Sequence, residues 1–275
     1  APDAGTYFWH CHITPPEHLQ MGMVGQIYVR PRQNRVGSPS APADLYTARQ
    51  MLNTPPVDPA NPTAVEFQRL RARCTDDILC STPLPAVNTG ATNDGTSKYA
   101  YNDGDGSTRY DVEYPLQMMG FDPNFHFVGM TFNPETFTDM KDKYFLLNGR
   151  SYPDTINPAP LSTQAADTVE RHSQPLPALI RIPAGGKALL RISDLNVTEY
   201  QTLASLGIRM KVIALNAKLL RDQDGNNLYY ETNSITLGGG ESLDVILDAS
   251  TPAYAGCTAG TPCRFYLYTP QMDHL

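Results

Sequence analysis

Long apolar runs, charged residues and helix-periodic stretches are all scarce in this 275-residue sequence. No apolar run approaches the about 20 residues that a transmembrane helix needs, so we expect no membrane span. The net charge of −7 argues against nucleic acid as a partner and is compatible with attracting cations. The chain opens at Ala1-Pro2-Asp3 without a secretion signal and runs directly into a predicted strand, so its start resembles the middle of a domain.

The abundant residues are those of turns and strands. There are 20 glycines, 24 prolines and 15 tyrosines, whereas charged residues make up only 18% of the chain. This balance predicts an all-β protein of short strands joined by turns, with a sandwich or barrel architecture. Besides the strands 6–9 and 25–29, we predict strands at 112–118, 125–132, 144–147, 178–182, 188–193, 210–215, 235–237, 243–247 and 264–268. The turn-rich segment 33–110 contains one predicted helix at 63–73 and a long exposed loop at 88–109.

The five cysteines divide into two local pairs and one remaining thiol. Cys74 and Cys80 bracket one short loop, and Cys257 and Cys263 bracket another. Loops of this length can close as disulfides if their Cα atoms approach closely enough, which predicts an oxidising compartment. The alternative is that all five cysteines are reduced and buried. Cys11 is left over, and it lies between two histidines.

Cys11, His18 and Met23 follow the order of ligands that a blue copper ion requires. Such a site combines a thiolate, two imidazoles and a weak thioether contact. The second imidazole normally comes from an earlier strand, which this chain lacks. Neighbours of a strand residue point to the opposite face, so His10 and His12 can reach other copper ions across a domain boundary while Cys11 binds its own. A structural zinc site is the alternative, but zinc does not need a methionine five residues after a histidine.

Two acidic stretches, 102–106 and 222–226, could suggest calcium. Neither has the ligand spacing of an EF-hand, because the glycines fall before the sixth position in both stretches, and the second has no glutamate at its twelfth position. We therefore interpret both stretches as turns stabilised by aspartate and asparagine side chains.

The copper pattern closely resembles the C-terminal copper signature of multicopper oxidases, the family of laccases and ferroxidases. The residues that carry this resemblance are Tyr7-Phe8-Trp9-His10-Cys11-His12-Ile13, His18 and Gly22-Met23-Val24-Gly25-Gln26-Ile27. Segments 144–155 and 237–245 are more loosely similar to parts of the family's cupredoxin-like domains. The resemblance implies Greek-key β-sandwich or barrel domains of cupredoxin type, the first of them incomplete in this chain. It also implies a location outside the cytoplasm: extracellular, periplasmic or on the cell surface.

In this family the cysteine, the following histidine and the methionine hold the type 1 copper, and the two histidines beside the cysteine hold the type 3 pair. The resemblance therefore assigns Cys11, His18 and Met23 to type 1 copper and His10 and His12 to type 3 copper. It implies that His18 receives electrons from a metal ion such as Mn(II) or Fe(II), or from a phenol. Cys11, His10 and His12 then carry them toward a trinuclear type 2/type 3 cluster, where dioxygen becomes water. Glu17 is a candidate for docking a metal cation, the alternative being a solvated loop glutamate.

Two features depart from the family pattern. His18 follows Cys11 by seven positions, whereas the spacing is five in many members, and Pro15-Pro16 occupy the extra length. Copper nitrite reductases also lengthen this loop with prolines, but they lack the second flanking histidine, so His12 favours the oxidase. The trinuclear cluster uses eight histidines in four His-x-His pairs, whereas this chain has six histidines and one such pair. His126, His172 and His274 are isolated.

These gaps indicate a piece of a larger oxidase. We expect residues 1–32 to be the C-terminal part of a copper-binding cupredoxin domain and 33–110 to be a linker with a short helix and a disulfide loop. Residues 111–275 are expected to form a second cupredoxin-like domain, copper-free and truncated at its end. The remaining ligands come from other domains or a partner chain, in an order resembling large bacterial oxidases of manganese and other metals. An electron-transfer protein without oxygen chemistry remains the alternative.

Overall fold

An antiparallel hairpin packs against a larger β-sandwich in the computed structural model, which describes residues 4–31, 98–103, 105–129, 139–164 and 167–274. Strands β1 (Gly5–His10) and β2 (Val24–Val29) form the hairpin, in register from Gly5 opposite Val29 to His10 opposite Val24. Helix α1 (Pro15–Gln20) is inserted between them. The predicted pair of strands at 6–9 and 25–29 is thus confirmed.

The sandwich consists of a seven-stranded sheet and a three-stranded sheet. The larger sheet has the order β12-β11-β15-β9-β5-β6, with β13 also paired to β11. Its strands are β5 (Val112–Phe121), β6 (Tyr144–Leu147), β9 (Lys187–Asp194), β11 (Met210–Leu215), β12 (Lys218–Leu219), β13 (Tyr230–Thr232) and β15 (Glu241–Asp248). The smaller sheet has the order β14-β10-β16, with strands β10 (Gln201–Leu206), β14 (Ser234–Leu237) and β16 (Tyr266–Tyr268).

Shorter elements complete the fold. Two small hairpins pair β3 (Lys98–Tyr99) with β4 (Arg109–Tyr110) and β7 (Leu161–Gln164) with β8 (Glu170–Ser173). Helix α2 is Pro123–Gly129, and 3-10 helices cover Asp154–Ile156, Pro252–Tyr254 and Met272–His274. The all-β fold class and the β-sandwich architecture expected from the sequence are confirmed.

Both faces of the large sheet are covered at its centre. Alternate residues of β9, such as Leu190 and Ile192, face the core between the two sheets. Leu189 lies on the opposite face, in a second cluster with Ala4 and Ala100. Each fully buried leucine of this kind contributes about 1.5–3 kcal/mol of hydrophobic stabilisation. Because neither face meets solvent, β9 and β15 read as nearly continuous apolar runs rather than alternating ones.

Two predicted strands are wrong. The segment 125–132 begins as helix α2, because Asp122 precedes Pro123 and accepts hydrogen bonds from the amides of Asn124 and Phe125 at 2.9 and 3.4 Å. An aspartate before a proline is a helix start signal, which the apolar pattern concealed. The segment 178–182 forms no strand; it packs against the core as irregular chain.

The loop predicted at 88–109 is wrong where the structure describes it. Tyr99, Ala100 and Tyr101 are buried, and the Tyr101 hydroxyl donates to Asp244 of β15. The two acidic stretches do form turns. Asp103 accepts the amide of Gly106 at 2.9 Å, and Asp222 accepts the amide of Asn226 at 2.8 Å. The predicted helix at 63–73 lies outside the described residues.

The cysteines differ in what can be described. Cys257 and Cys263 form a disulfide, with Cα atoms 5.2 Å apart. Cys11 is a free thiol. Cys74 and Cys80 lie outside the described residues, so their pairing stays a prediction.

Candidate copper site

Main-chain hydrogen bonds bring the three expected type 1 ligands onto one short loop. The hairpin closes where the Cys11 amide donates to the Met23 carbonyl at 3.1 Å. The Met23 amide in turn donates to the His18 carbonyl at 3.0 Å. Cys11, His18 and Met23 are therefore neighbours, although up to twelve positions separate them in the sequence.

The two prolines begin a helix. Pro15 and Pro16 occupy its first positions, where a missing amide hydrogen costs no hydrogen bond and the fixed φ suits the helix. Thr14, the residue before the helix, has a left-handed φ of 48°. Gly22, which follows the helix, has a φ of 91°, a conformation that favours glycine. The seven-residue spacing from Cys11 thus accommodates the helix, whose last turn carries His18.

The thiol and one imidazole meet at ligand distance. Cys11 Sγ lies 3.2 Å from His18 Nδ1. Metal bonds of about 2.3 Å to sulfur and about 2.1 Å to nitrogen, as for a first-row ion such as zinc, allow at most about 4.4 Å between the two atoms. The Ile13 amide also donates to Cys11 Sγ at 3.3 Å. Hydrogen bonding of this kind around the cysteine sulfur tunes the redox potential of a blue copper ion.

His10 and His12 form a second pair. Their rings stack with centroids 4.5 Å apart and planes 12° apart. His10 Nδ1 lies 2.9 Å from the Cys11 carbonyl oxygen. Because a carbonyl only accepts, Nδ1 must carry the hydrogen, which leaves the lone pair of Nε2 for a ligand. His12 is exposed beyond the end of β1.

Other predicted site residues are less constrained. The Met23 side chain is 47% exposed, and its place beside Cys11 is set by the main chain. Glu17 is half-buried on α1, directly before His18. Burial lowers the pKa of His126, and the negative charges of Glu17 and Asp122 act to raise it.

The isolated histidines have other surroundings. His126 bonds to Gln20 and stacks on Phe121, with ring centroids 4.8 Å apart. His274 stacks on Phe145 at 3.5 Å, and His172 is exposed on β8. In the part of the chain that the structure describes, no group of three or more His, Cys, Asp or Glu side chains is placed to hold a metal. The described residues therefore offer one thiolate and one imidazole, with a methionine beside them.

A polar contact with the sandwich, not anticipated from the sequence, supports the hairpin. Gln26 Nε2 donates to the Leu116 and Arg191 carbonyls and to Ser193 Oγ, at 3.2, 3.1 and 2.6 Å. Tyr28 completes this contact by donating to Gln26 Oε1 at 2.6 Å. The inner face of the hairpin is thus bonded to β5 and β9.

Arg191 is the centre of a buried ionic network beneath β1 and β2. Its Nε lies 3.0 Å from Glu113 Oε2, and its Nη1 lies 3.6 Å from Asp244 Oδ1. Nη1 also donates to Thr6 Oγ1 at 3.2 Å, and the guanidinium covers the Tyr28 ring at 4.9 Å. Burial raises the pKa of Glu113, but the opposing charges of Arg191 and Arg30 outweigh burial and lower it overall.

A sequence signal for this network existed. Arg191 and Asp244 each interrupt an apolar run, and the strand register pairs them directly across β9 and β15. A charge inside a buried strand is rarely tolerated without a partner. A charged residue within an apolar run indicates that it has a partner of opposite charge. It does not indicate that the hairpin β1–β2 covers the pair.

Apolar contacts fix α1 to the same sheet. Leu19 is buried against Met119 and Leu195, and Phe8 and Val24 of the hairpin pack around this cluster. The cluster lies at the end of the hairpin that carries residues 11–23, the candidate copper loop.

Asp194, next to this cluster, predicts a pH dependence of stability. Burial raises its pKa from an ordinary value of 3.8 to about 7, against the opposing hydrogen bond from the Asn196 amide, and the charges of Glu241 and Asp142 raise it further. Between pH 4 and 7 the folded chain therefore holds a proton that the unfolded chain has lost. The free energy of unfolding should fall as pH rises through this window and stay low above it.

We expect Asp194→Asn to flatten this slope, removing up to about 4 kcal/mol of destabilisation at pH 8. Urea unfolding at pH 5 and pH 8 measures the effect. The matched control is Asp224→Asn on an exposed turn, which should keep the wild-type slope. An unchanged slope in Asp194→Asn would mean that Asp194 is ionised in the folded chain at pH 5.

Comparisons with known proteins relate the first 33 residues to a family and the whole chain to a fold. Residues 1–33 match the family model described as multicopper oxidase. The solved multicopper oxidase mgLAC aligns with 98% of the chain, at 15% identity and a TM-score of 0.51. The blue copper oxidase of Nitrosomonas europaea aligns with 100% of it, at 15% identity and a TM-score of 0.50. The chain spans about half of these structures, covering 51% and 52% of their lengths. No curated protein sequence matches the chain.

These matches carry different information. The family match covers the copper loop and both hairpin strands, whereas the structural likeness, at this identity, concerns the fold alone. None of the helices among the described residues has the length and apolar character to cross a membrane.

Proposed function

We propose that this chain, whose residues 1–33 match the multicopper oxidase family, supplies the type 1 copper loop and part of the type 3 site of a larger oxidase of that family. The observation that carries the proposal is the 3.2 Å separation between Cys11 Sγ and His18 Nδ1. The thiolate, the imidazole and a neighbouring methionine form a donor set suited to copper. Cys11, His18 and Met23 would hold type 1 copper, and His10 and His12 would hold type 3 copper.

Bound copper would supply one-electron oxidation of a substrate, coupled to reduction of dioxygen to water by four electrons and four protons at a trinuclear cluster. The residues of this chain hold the ions and connect them. Cys11 is covalently joined through its main chain to His10 and His12, so the thiolate and both imidazoles share one short peptide path. The hydrogen bond from Ile13 stabilises the negative charge on the Cys11 sulfur.

Several copper ligands of the proposed oxidase lie outside this chain. The second imidazole of the type 1 site and most trinuclear ligands would come from other domains of the parent protein or from a partner chain. In this proposal residues 1–32 complete a copper-binding cupredoxin domain, and 111–275 form a copper-free one. Proteins with this organisation act outside the cytoplasm, which the disulfide Cys257–Cys263 supports.

The experiment that tests the proposal measures copper per polypeptide in the full-length protein, together with its visible and EPR spectra. An intense thiolate-to-copper band, a type 2 EPR signal and several coppers per polypeptide would establish the oxidase. A single blue copper would instead identify an electron carrier, and His10 and His12 would then not be cluster ligands. Bound zinc without a visible band would overturn the copper assignment.

The reducing substrate is proposed to be a metal ion such as Mn(II) or Fe(II), with a phenol as the alternative. Glu17 supports the metal ion, because its half-buried carboxylate directly precedes His18. We expect Glu17→Gln to raise the KM for the metal ion several-fold, because one anionic contact is lost, and to leave the KM for a phenol unchanged. Glu170→Gln on the distant β8 is the control. Equal KM values for the metal ion in wild type and Glu17→Gln would remove Glu17 from substrate binding.

A further inference from the structure

Gln20 ends α1, two residues after His18, and its side-chain amide is buried. Its Nε2 donates to Asp142 Oδ1 at 2.8 Å and to Met140 Sδ at 3.5 Å. Its Oε1 accepts the Asp122 amide at 3.0 Å. The same oxygen lies 3.0 Å from His126 Nε2, which must carry the hydrogen because Oε1 only accepts.

These contacts use the whole capacity of the amide. A glutamine side chain has two N–H donors and one carbonyl oxygen with two lone pairs, and each is occupied here. All four partners belong to residues 122–142, between β5 and β6, so the bonds fasten α1 to the sandwich and not to the hairpin. A fully satisfied buried polar network of this kind fixes one arrangement of the groups it joins.

The position of His18 depends on this attachment. Cys11 follows β1, which the pairing with β2 and the Arg191 network hold in place. His18 lies on α1, which is anchored at its C-terminal end by Leu19 and Gln20, while residues 12–14 at the other end are exposed. The Met23 amide ties the His18 carbonyl to the start of β2, and the Gln20 contacts tie the end of α1 to the sandwich. The separation between Cys11 Sγ and His18 Nδ1 is therefore set by both attachments.

We propose that Gln20 is a positioning residue for the copper ligand His18, fixing its imidazole against the Cys11 thiolate through the contacts to Asp122, His126 and Asp142. The inference rests on the proposed function of this loop. The inference gives a role to Gln20, which is not a proposed copper ligand, and to residues 122–142 of the sandwich, which carry none of the proposed ligands. Groups beyond the ligands that orient them commonly change metal affinity by about 10–100-fold.

The test compares Gln20→Met with Gln26→Met in the full-length protein. Both substitutions keep side-chain volume and remove a hydrogen-bonded amide that joins residues 5–29 to the sandwich. Gln26, however, lies in β2 and bonds to Leu116, Arg191 and Ser193, away from α1. The pair therefore separates an effect on His18 from a general loosening of the hairpin.

Two quantities are measured. In the metal-free protein, hydrogen exchange at the α1 amides should be about tenfold faster in Gln20→Met than in Gln26→Met, because buried partners are left unpaired. In the copper-loaded protein, Gln20→Met should shift the EPR hyperfine coupling and reduction potential of the thiolate copper and weaken its binding about tenfold or more. Gln26→Met should keep the wild-type spectrum and potential. His126→Phe removes only the hydrogen bond to Gln20 and replaces Gln20→Met in the test if that variant fails to fold. It should change the EPR hyperfine coupling and the reduction potential in the same direction, but by less.

The outcomes are distinguishable. If the wild-type protein shows no thiolate-copper signal, the proposed function is wrong, and this inference falls with it. A wild-type protein with that signal, in which Gln20→Met and His126→Phe match Gln26→Met in spectrum and potential, overturns the inference alone.

Discussion

Arg191→Met is expected to lower the free energy of unfolding by about 3–5 kcal/mol, because it leaves the buried Asp244 carboxylate without its counterion. Arg191 is completely buried and Asp244 is 1% exposed. Removal of the guanidinium also breaks its bond to Thr6 and its contact with the Tyr28 ring, both of which hold the hairpin. The hairpin should therefore separate from the sheet before the sandwich unfolds.

Urea unfolding followed by circular dichroism measures the loss, with Arg209→Met as the matched control. Arg209 pairs with Glu231 at 3.6 Å, but its side chain is 67% exposed, so this substitution should cost less than about 1 kcal/mol. The double variant Arg191→Met/Asp244→Leu should recover most of the loss, because an apolar pair replaces the buried ion pair. Equal stability of the two single variants would show that the Arg191 network does not stabilise the fold.

Cys11→Ser and His12→Ala are expected to disable the proposed oxidase in different ways. Without the thiolate, Cys11→Ser should lose the intense visible absorption entirely, because a hydroxyl is a poor substitute for a soft ligand. His12→Ala keeps Cys11 and its 3.2 Å contact with His18, so the absorption should remain. It should nevertheless abolish dioxygen consumption, because it removes one of the two proposed type 3 ligands.

Dioxygen consumption, measured with an oxygen electrode, and the visible spectrum are compared between the variants, with His172→Ala as the control. His172 is exposed on β8, and its replacement should change neither quantity. Normal dioxygen consumption by His12→Ala would exclude His12 from the cluster. Retention of the absorption by Cys11→Ser would show that Cys11 is not the source of the colour.

Short-range patterns in the sequence predicted the parts of the fold that short-range chemistry determines. The strands 144–147 and 210–215 have the predicted bounds, because apolar runs between turn residues have few other arrangements. The candidate copper loop was recognisable because its proposed ligands lie within thirteen residues. Helix α2 was missed because its apolar residues resemble a strand and the start signal Asp122-Pro123 received too little weight.

The contacts that hold the hairpin and α1 on the sandwich could not be predicted, because they join residues that are far apart in the sequence. Thr6 bonds to Asp244 across 238 positions, and Gln20 bonds to Asp142 across 122. The sequence shows that Arg191 needs a partner, but many acidic residues could supply it. Only the register that places Asp244 opposite Arg191, with Thr6 above both, selects one of them.

The placement of the hairpin on β9 and β15 has a consequence for the order of folding. A ribosome releases residues 5–29 long before residues 187–248, on which their inner face packs. Two strands alone are marginally stable in water, so the hairpin should gain lasting structure only after the later strands have assembled. We therefore expect residues 5–29 to become ordered late, once the sandwich has formed the surface on which their inner face packs.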